Sequence, residues 1–278
     1  MHDLVSDAGW RQAPQIRDLT QVTSGASTFQ LDGSVVPVAE VDLGTGESAF
    51  FEHHVMLWKD FSVPMSVMDT PGGMKRIMAG MPFVISVAQG PGRVAFSRDA
   101  PGELVIVPID PGVELDLREH AMLVATGNLS YSYEKVQGIK TILTAGTGMY
   151  LDRFVAQSTP GLLVMHGNGN VLERTLGQGE TVQVEPGGFL YKDSSVTMDI
   201  STLPLNPEGN QGLQAAKGIA SRGFAAIKAA RALTKGGDLQ GFQAAAGAAL
   251  TGPGITLMRM TGPGRVGIQS MFVDHETG

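Results

Sequence analysis

The chain has 278 residues, 42% of them hydrophobic and 17% charged, with a formal net charge of −7, 37 Gly, 15 Pro and no Cys. Without cysteine there is no disulfide framework, no thiolate zinc site and no Cys nucleophile. The acidic balance argues against a broad nucleic-acid surface. The Gly and Pro content suits a large domain of many short strands.

Residues 1–26 show no sustained period and read as an N-terminal extension. Their start, MHDLVSDAGWRQAPQIRDL, lacks the basic segment and apolar core of a secretory signal. The longest apolar or small run, Ala244 to Leu250, is far shorter than the roughly 18 residues that a membrane span requires. The expectation is a cytoplasmic protein, at most peripheral on the inner membrane. From Ser27 onward a β domain is expected, with repeats at about 35–100, 101–167 and 168–273. Phe29 and Leu31 alternate with polar neighbours, Asp32-Gly33 makes a turn, and Val35 to Val41 reads as a strand. The Gly-rich turn Gly44 to Ser48 follows.

Three related blocks then organise the chain. They are FEHHVMLWKDFSVPMSV (Phe51 to Val67), LREHAMLVATGNLSYSY (Leu117 to Tyr133) and VEPGGFLYKDSSVTMDI (Val184 to Ile200). Leu57, Leu123 and Leu190 superpose, as do Trp58, Val124 and Tyr191, and Lys59-Asp60 returns as Lys192-Asp193. A fixed period of this kind means one supersecondary unit used repeatedly, each copy unable to bury its apolar face alone. Each block ends in period-two alternation, as in Leu129, Tyr131 and Tyr133, which predicts a strand with one buried face. Pro64 places its own strand at an edge or faces outward.

A second phrase completes each unit: a strand, a Pro-Gly turn at Pro91-Gly92, Pro160-Gly161 or Pro263-Gly264, and another strand. Short links at Gly73 to Met78 and Gly138 to Leu143 read as turns or helical turns. Asn168-Gly169, between LLVM and VLERTL, reads as a hairpin.

The third copy breaks the period. Between Gln211 and Leu250 there are 13 Ala and 7 Gly, which predicts an Ala-rich helical insertion spanning about 206–251. That stretch carries Lys217, Arg222, Lys228, Arg231 and Lys235 against one acid, Asp238, a net +4 beside −11 for the rest of the chain. A basic helix on an acidic body would cover that body, contact a partner, or touch an anionic membrane surface.

Taken together, the Gly44 to Ser48 turn, the Gly72-Gly73 link, the GPGRV phrases at Gly90 to Val94 and Gly262 to Val266, and the third block led by Pro186 resemble the altered-inheritance-of-mitochondria family, number twenty-four branch. The resemblance runs from about Ser27 to Val273. It implies an all-β, double-stranded β-helix or barrel-like domain of three pseudo-repeats, related to the tryptophan RNA-binding attenuation protein fold. It also implies a self-associating protein with no established catalytic activity, its mitochondrial branch linked to inner-membrane organisation.

Site chemistry is sparse. His54 and His120 hold equivalent repeat positions, with Gly187 in the third copy. They are candidate metal ligands, or else turn residues satisfied by backbone and water. No catalytic residues and no cofactor are expected. Glu52, Glu114, Asp116, Glu119 and Glu185 read as solvated carboxylates on β faces, and Trp58, Tyr131, Tyr133 and Tyr191 as core. The leading reading is a non-enzymatic homo-oligomeric scaffold, a trimer or higher ring. A metal- or ligand-binding module and a peripheral membrane protein are the alternatives.

Overall fold

The computed structural model describes residues 11–12, 21–68, 84–135, 150–204 and 254–271. Those residues form an all-β fold of antiparallel ladders with one 3-10 turn, Pro186–Gly188. The predicted insertion at 206–251, its five basic residues, and the links at Gly73 to Met78 and Gly138 to Leu143 lie outside the described residues.

At the N-terminus stand β1 (Arg11–Gln12), β2 (Gln21–Ser24) and β3 (Ser27–Asp32). β2 and β3 form a hairpin, so the expected boundary at residue 26 falls inside a turn rather than between units. A first run of six strands follows: β4 (Val38–Leu43), β5 (Ser48–Glu52), β6 (Met56–Lys59), β7 (Met65–Val67), β8 (Ile85–Gln89) and β9 (Gly92–Phe96). The second run is β10 (Gly102–Ile109), β11 (Glu114–Arg118), β12 (Met122–Thr126), β13 (Leu129–Lys135), β14 (Tyr150–Ala156) and β15 (Gly161–Asn168). The third is β16 (Val171–Leu176), β17 (Thr181–Val184), β18 (Phe189–Asp193), β19 (Thr197–Pro204), β20 (Gly254–Thr261) and β21 (Gly264–Gln269).

Each run splits its strands between two sheets in the same way. The first, third and last strands make one ladder: β4-β9-β6, β10-β15-β12 and β16-β21-β18. The second, fourth and fifth make the other: β5-β8-β7, β11-β14-β13 and β17-β20-β19. Neighbouring runs are then welded edge to edge, β12 onto β5 and β18 onto β11. The result is a five-stranded, a six-stranded, a seven-stranded and a three-stranded sheet.

Three apolar clusters lie between these sheets. One joins the five- and six-stranded sheets through Phe29, Phe51, Phe96 and Val164. A second joins the six- and seven-stranded sheets through Phe50, Met165, Phe154 and Tyr191. A third joins the seven- and three-stranded sheets through Phe189, Val266, Met258 and Met260. The two middle sheets are therefore covered on both faces. β12 is buried at every residue, the signature of a strand with no solvent face.

The local devices recur with the strands. The turn between the first two strands of each run has a left-handed glycine at its third position, Gly46 (φ 82°), Gly112 (φ 82°) and Gly179 (φ 73°). A side chain there would be strained. The third strand of each run carries a register shift, between Met56 and Trp58, Met122 and Val124, and Phe189 and Tyr191. The skipped residue is Leu57, Leu123 or Leu190 respectively. A bulge adds one residue and turns it out of the pleat.

Several expectations need correction. Asn168-Gly169 does turn the chain, with Gly169 at φ 71°. It makes no hairpin, because β15 is already flanked by β10 and β12 while β16 lies between β1 and β21. The turn instead passes the chain from one sheet to the next. The Pro-Gly turns do the same between β8 and β9, β14 and β15, and β20 and β21. The strand expected at Val35 starts at Val38, with Val35 and Val36 exposed. β7 sits at a sheet edge, as Pro64 implied, but it is exposed at all three residues rather than on one face. Trp58 is partly exposed instead of core, whereas Tyr131 and Tyr191 are buried. Among the described residues, no helix is long and apolar enough to cross a membrane.

Candidate functional site

Two shifted histidines and a buried carboxylate gather where the first two runs meet. His53 and His54 lie in the turn between β5 and β6, and His120 in the equivalent turn between β11 and β12. Because β12 pairs with β5, the second run's turn comes to rest over the end of β5, at Glu52. The rings of His54 and His120 stand 6.2 Å apart, centroid to centroid. The two histidines singled out in the sequence are thus brought together, and both are turn residues.

Glu52 organises them. It is 1% exposed, not solvated, since the six-stranded sheet is covered on both faces at this point. Its Oε2 lies 3.2 Å from His120 Nδ1 and 3.4 Å from His54 Nε2. Its Oε1 is buried with no partner among the described residues. His120 reaches the carboxylate from a left-handed backbone, φ 65°, uncommon outside glycine but most accessible to His, Asn and Asp.

Arg98 completes the group, with Nη1 3.0 Å from His54 Nε2. A guanidinium only donates, so this His54 nitrogen must accept, and the His54 proton sits on Nδ1. That assignment makes His54 neutral. Burial, which outweighs the attraction of Glu52, lowers its pKa below the ordinary 6.5, and Arg98 adds to the lowering. His120 shifts the opposite way. Its hydrogen bond to Glu52 is the largest influence and raises it above 6.5, against the cost of burial. One carboxylate therefore sits between two imidazoles whose pKa values are shifted in opposite directions. Nearby, burial pushes His166 down to about 4, with the Arg98 charge assisting. A cavity of about 330 Å³ opens beside the cluster, lined by His54, Met56, Leu57, Ser97, Arg98 and Asp99 among others.

The raised pKa of His120 fixes a sign. The Glu52–His120 pair contributes stability fully below pH 6.5, and that contribution is lost as the pH rises through the higher folded value. Glu52→Gln removes the acceptor charge, and His120 then titrates at lower pH than in the parent protein. An NMR titration of the His120 ring protons reads the shift, and an unchanged value contradicts the pairing.

As a metal centre the cluster is poorly furnished. Arg98 adds a positive charge where a cation would sit. Among the described residues, no group of three His, Asp or Glu side chains is arranged to hold a metal ion. Sequence reasoning missed Arg98 and His166, which lie in no repeated block, and misjudged Glu52. The signal for Glu52 was its place two residues before His54, at the end of a strand with apolar residues on both faces, Ala49, Phe50 and Phe51.

The equivalent junction between the second and third runs uses different groups in the same geometry. Arg118, at the position of Glu52, donates from Nη1 to Gly187 O at 2.8 Å, and Gly187 stands at the position of His120. Burial lowers the Arg118 pKa. The cluster is thus the first of two like contacts between successive runs.

A family model described as mitochondrial biogenesis AIM24 matches residues 29–271. The chain belongs to that family. The AIM24 match covers all three six-strand runs and most of β3. A search of curated proteins finds no match. Among solved structures, the chain is similar to the crystal structure of protein SPYM3_0169 from Streptococcus pyogenes, at 18% identity and a TM-score of 0.57. The match covers 88% of this chain and 94% of that one. At that identity the likeness concerns the fold.

Proposed function

We propose that this AIM24 protein is a non-enzymatic, homo-oligomeric scaffold built from three copies of one six-strand unit. The observation that carries the reading is an apolar strip on β6 and its following turn. Met56, Leu57, Trp58 and Phe61 are all exposed there, Phe61 fully. An edge strand with exposed apolar side chains is a template for pairing with another chain, and such patches on soluble proteins mark interaction sites. The His54–Glu52–His120 cluster fits this reading as a polar latch between units. The family description, mitochondrial biogenesis, names no reaction. Light scattering coupled to size exclusion tests the proposal at micromolar protein. The expected mass is a multiple of one chain, and a clean monomer contradicts it.

A second reading rests on the cavity beside His54 and Arg98. There a small anion would be held by Arg98. A third reading is peripheral attachment to anionic membrane through Lys217, Arg222, Lys228, Arg231 and Lys235, which rests on the charge of that segment alone. Vesicles with anionic lipid at low salt are expected to co-sediment the protein in the third case only.

A further inference from the structure

The junction seen twice inside the chain has a third counterpart whose two edges are unpaired among the described residues. At the first junction, β12 pairs with β5 through Ala125 opposite Phe50 and Thr126 opposite Ala49. At the second, β18 pairs with β11 through Lys192 opposite Asp116, Asp193 opposite Leu115, and Tyr191 opposite Leu117. Ala125 and Lys192 are the same position in successive units, as are Phe50 and Asp116, so the two junctions share one register. By the same offsets, β6 is the strand equivalent to β12 and β18, and β17 is equivalent to β5 and β11. Yet among the described residues β6 and β17 both end their sheets, and neither pairs with the other.

The bulged leucines give this asymmetry its energetic content. Leu123 is 0% exposed and enters the apolar cluster of the first unit. Leu190 is 0% exposed and enters that of the second. Leu57, at the same position on β6, is 58% exposed. A plug that finds a neighbour's core in two units is left in water in the other. The apolar cluster of the third unit, around Val184, Met258 and Met260, lies behind the β17 edge.

Charge agrees with shape. Glu185 follows β17 at the position of Glu52 and Arg118, and it is exposed. In the shared register its partner is the residue equivalent to His120 and Gly187, which is His54, next to Arg98 at the mouth of the cavity.

We propose that β6 of one chain adds to the β17 edge of a second copy, head to tail, with Leu57 entering the partner copy's third-unit cluster and Glu185 meeting His54 and Arg98. This rests on the homo-oligomer reading and specifies its interface. Internal precedent sets the register: Trp58 opposite Val184, Lys59 opposite Gln183 and Asp60 opposite Val182. Such an interface is heterologous. It forms a closed ring if the rotation per copy closes and a filament if it does not.

The test uses the absence of native cysteine. Lys59→Cys and Gln183→Cys are made as separate full-length chains and mixed at equal concentration under mild oxidation. Directly opposed residues in an antiparallel pair lie within reach of a disulfide. The expected result is a reducible dimer joining one of each chain, formed at least tenfold more than from either variant alone and lost when both chains also carry Leu57→Arg. Peptide mapping identifies the bond. If a chain carrying both cysteines forms only an internal disulfide and stays a monomer, β6 closes on its own β17 and the proposal is overturned. An oligomer of unchanged mass without the cross-link, and unaffected by Leu57→Arg, also overturns it while leaving the homo-oligomer reading intact. A parent protein that is monomeric by light scattering removes both.

Discussion

Asp116→Ala is expected to destabilise the fold by about 3–5 kcal/mol, the cost of breaking a buried ion pair from one side. Asp116 is 1% exposed and ties together three strands of the seven-stranded sheet. From β11 it accepts from Arg153 Nε of β14 at 2.7 Å and Nη2 at 3.1 Å, and from Lys192 Nζ of β18 at 2.8 Å. Removing the carboxylate leaves the Lys192 ammonium buried without that partner. Burial alone would raise the Asp116 pKa, but the hydrogen bonds from Arg153 and Lys192 together with their charges outweigh it and hold the group below its ordinary 3.8. A folded pKa below the unfolded one means the stabilisation is present above pH 3.8 and is lost as the pH falls through the depressed value. Urea midpoints at pH 7 and pH 3 measure both effects. The parent and Asp116→Ala proteins are expected to differ strongly at pH 7 and less at pH 3. A midpoint unchanged at pH 7 contradicts the role given to Asp116.

The second large effect compares one position in two units. Leu123→Ala is expected to cost about 2–5 kcal/mol, because it opens a cavity where the surrounding strands relax only partly. Leu57→Ala is expected to change the stability of the isolated chain by no more than about 0.5 kcal/mol, as exposed substitutions do. Its effect falls on assembly instead, lowering the mass seen by light scattering at a given concentration. Denaturation at nanomolar chain concentration separates the two. Equal losses at both positions contradict the idea that Leu57 is a plug without a socket in its own chain.

Local signals in the sequence carried much of this architecture. The three superposed leucines mark the bulges, and the blocks around them mark the strands on either side. The glycine turns recur because a positive φ is a local requirement that any copy of the unit must meet. What sequence could not supply was which strands pair. Asn168-Gly169 has the chemistry of a hairpin turn, yet the edges of β15 and β16 are taken by strands distant in the chain. Burial of charge was hidden for the same reason. Glu52 and Asp116 sit on strands whose second face is covered by another sheet, a fact fixed by stacking rather than by period. His54 and His120 could be singled out as equivalent, but their meeting at one carboxylate follows from the β12–β5 weld. Trp58 illustrates the reverse case. Its place on a strand pattern suggested core, whereas β6 ends its sheet among the described residues.

The central claim is that β6 is an edge satisfied only by another copy of the protein. Backbone hydrogen exchange of the Met56–Lys59 segment, followed from nanomolar to high micromolar protein, tests it most directly. The amides facing away from β9 are expected to exchange freely at high dilution and to become protected as concentration rises, in step with the increase in mass. Exchange at one fixed rate across that range, whether fast or slow, would contradict the account.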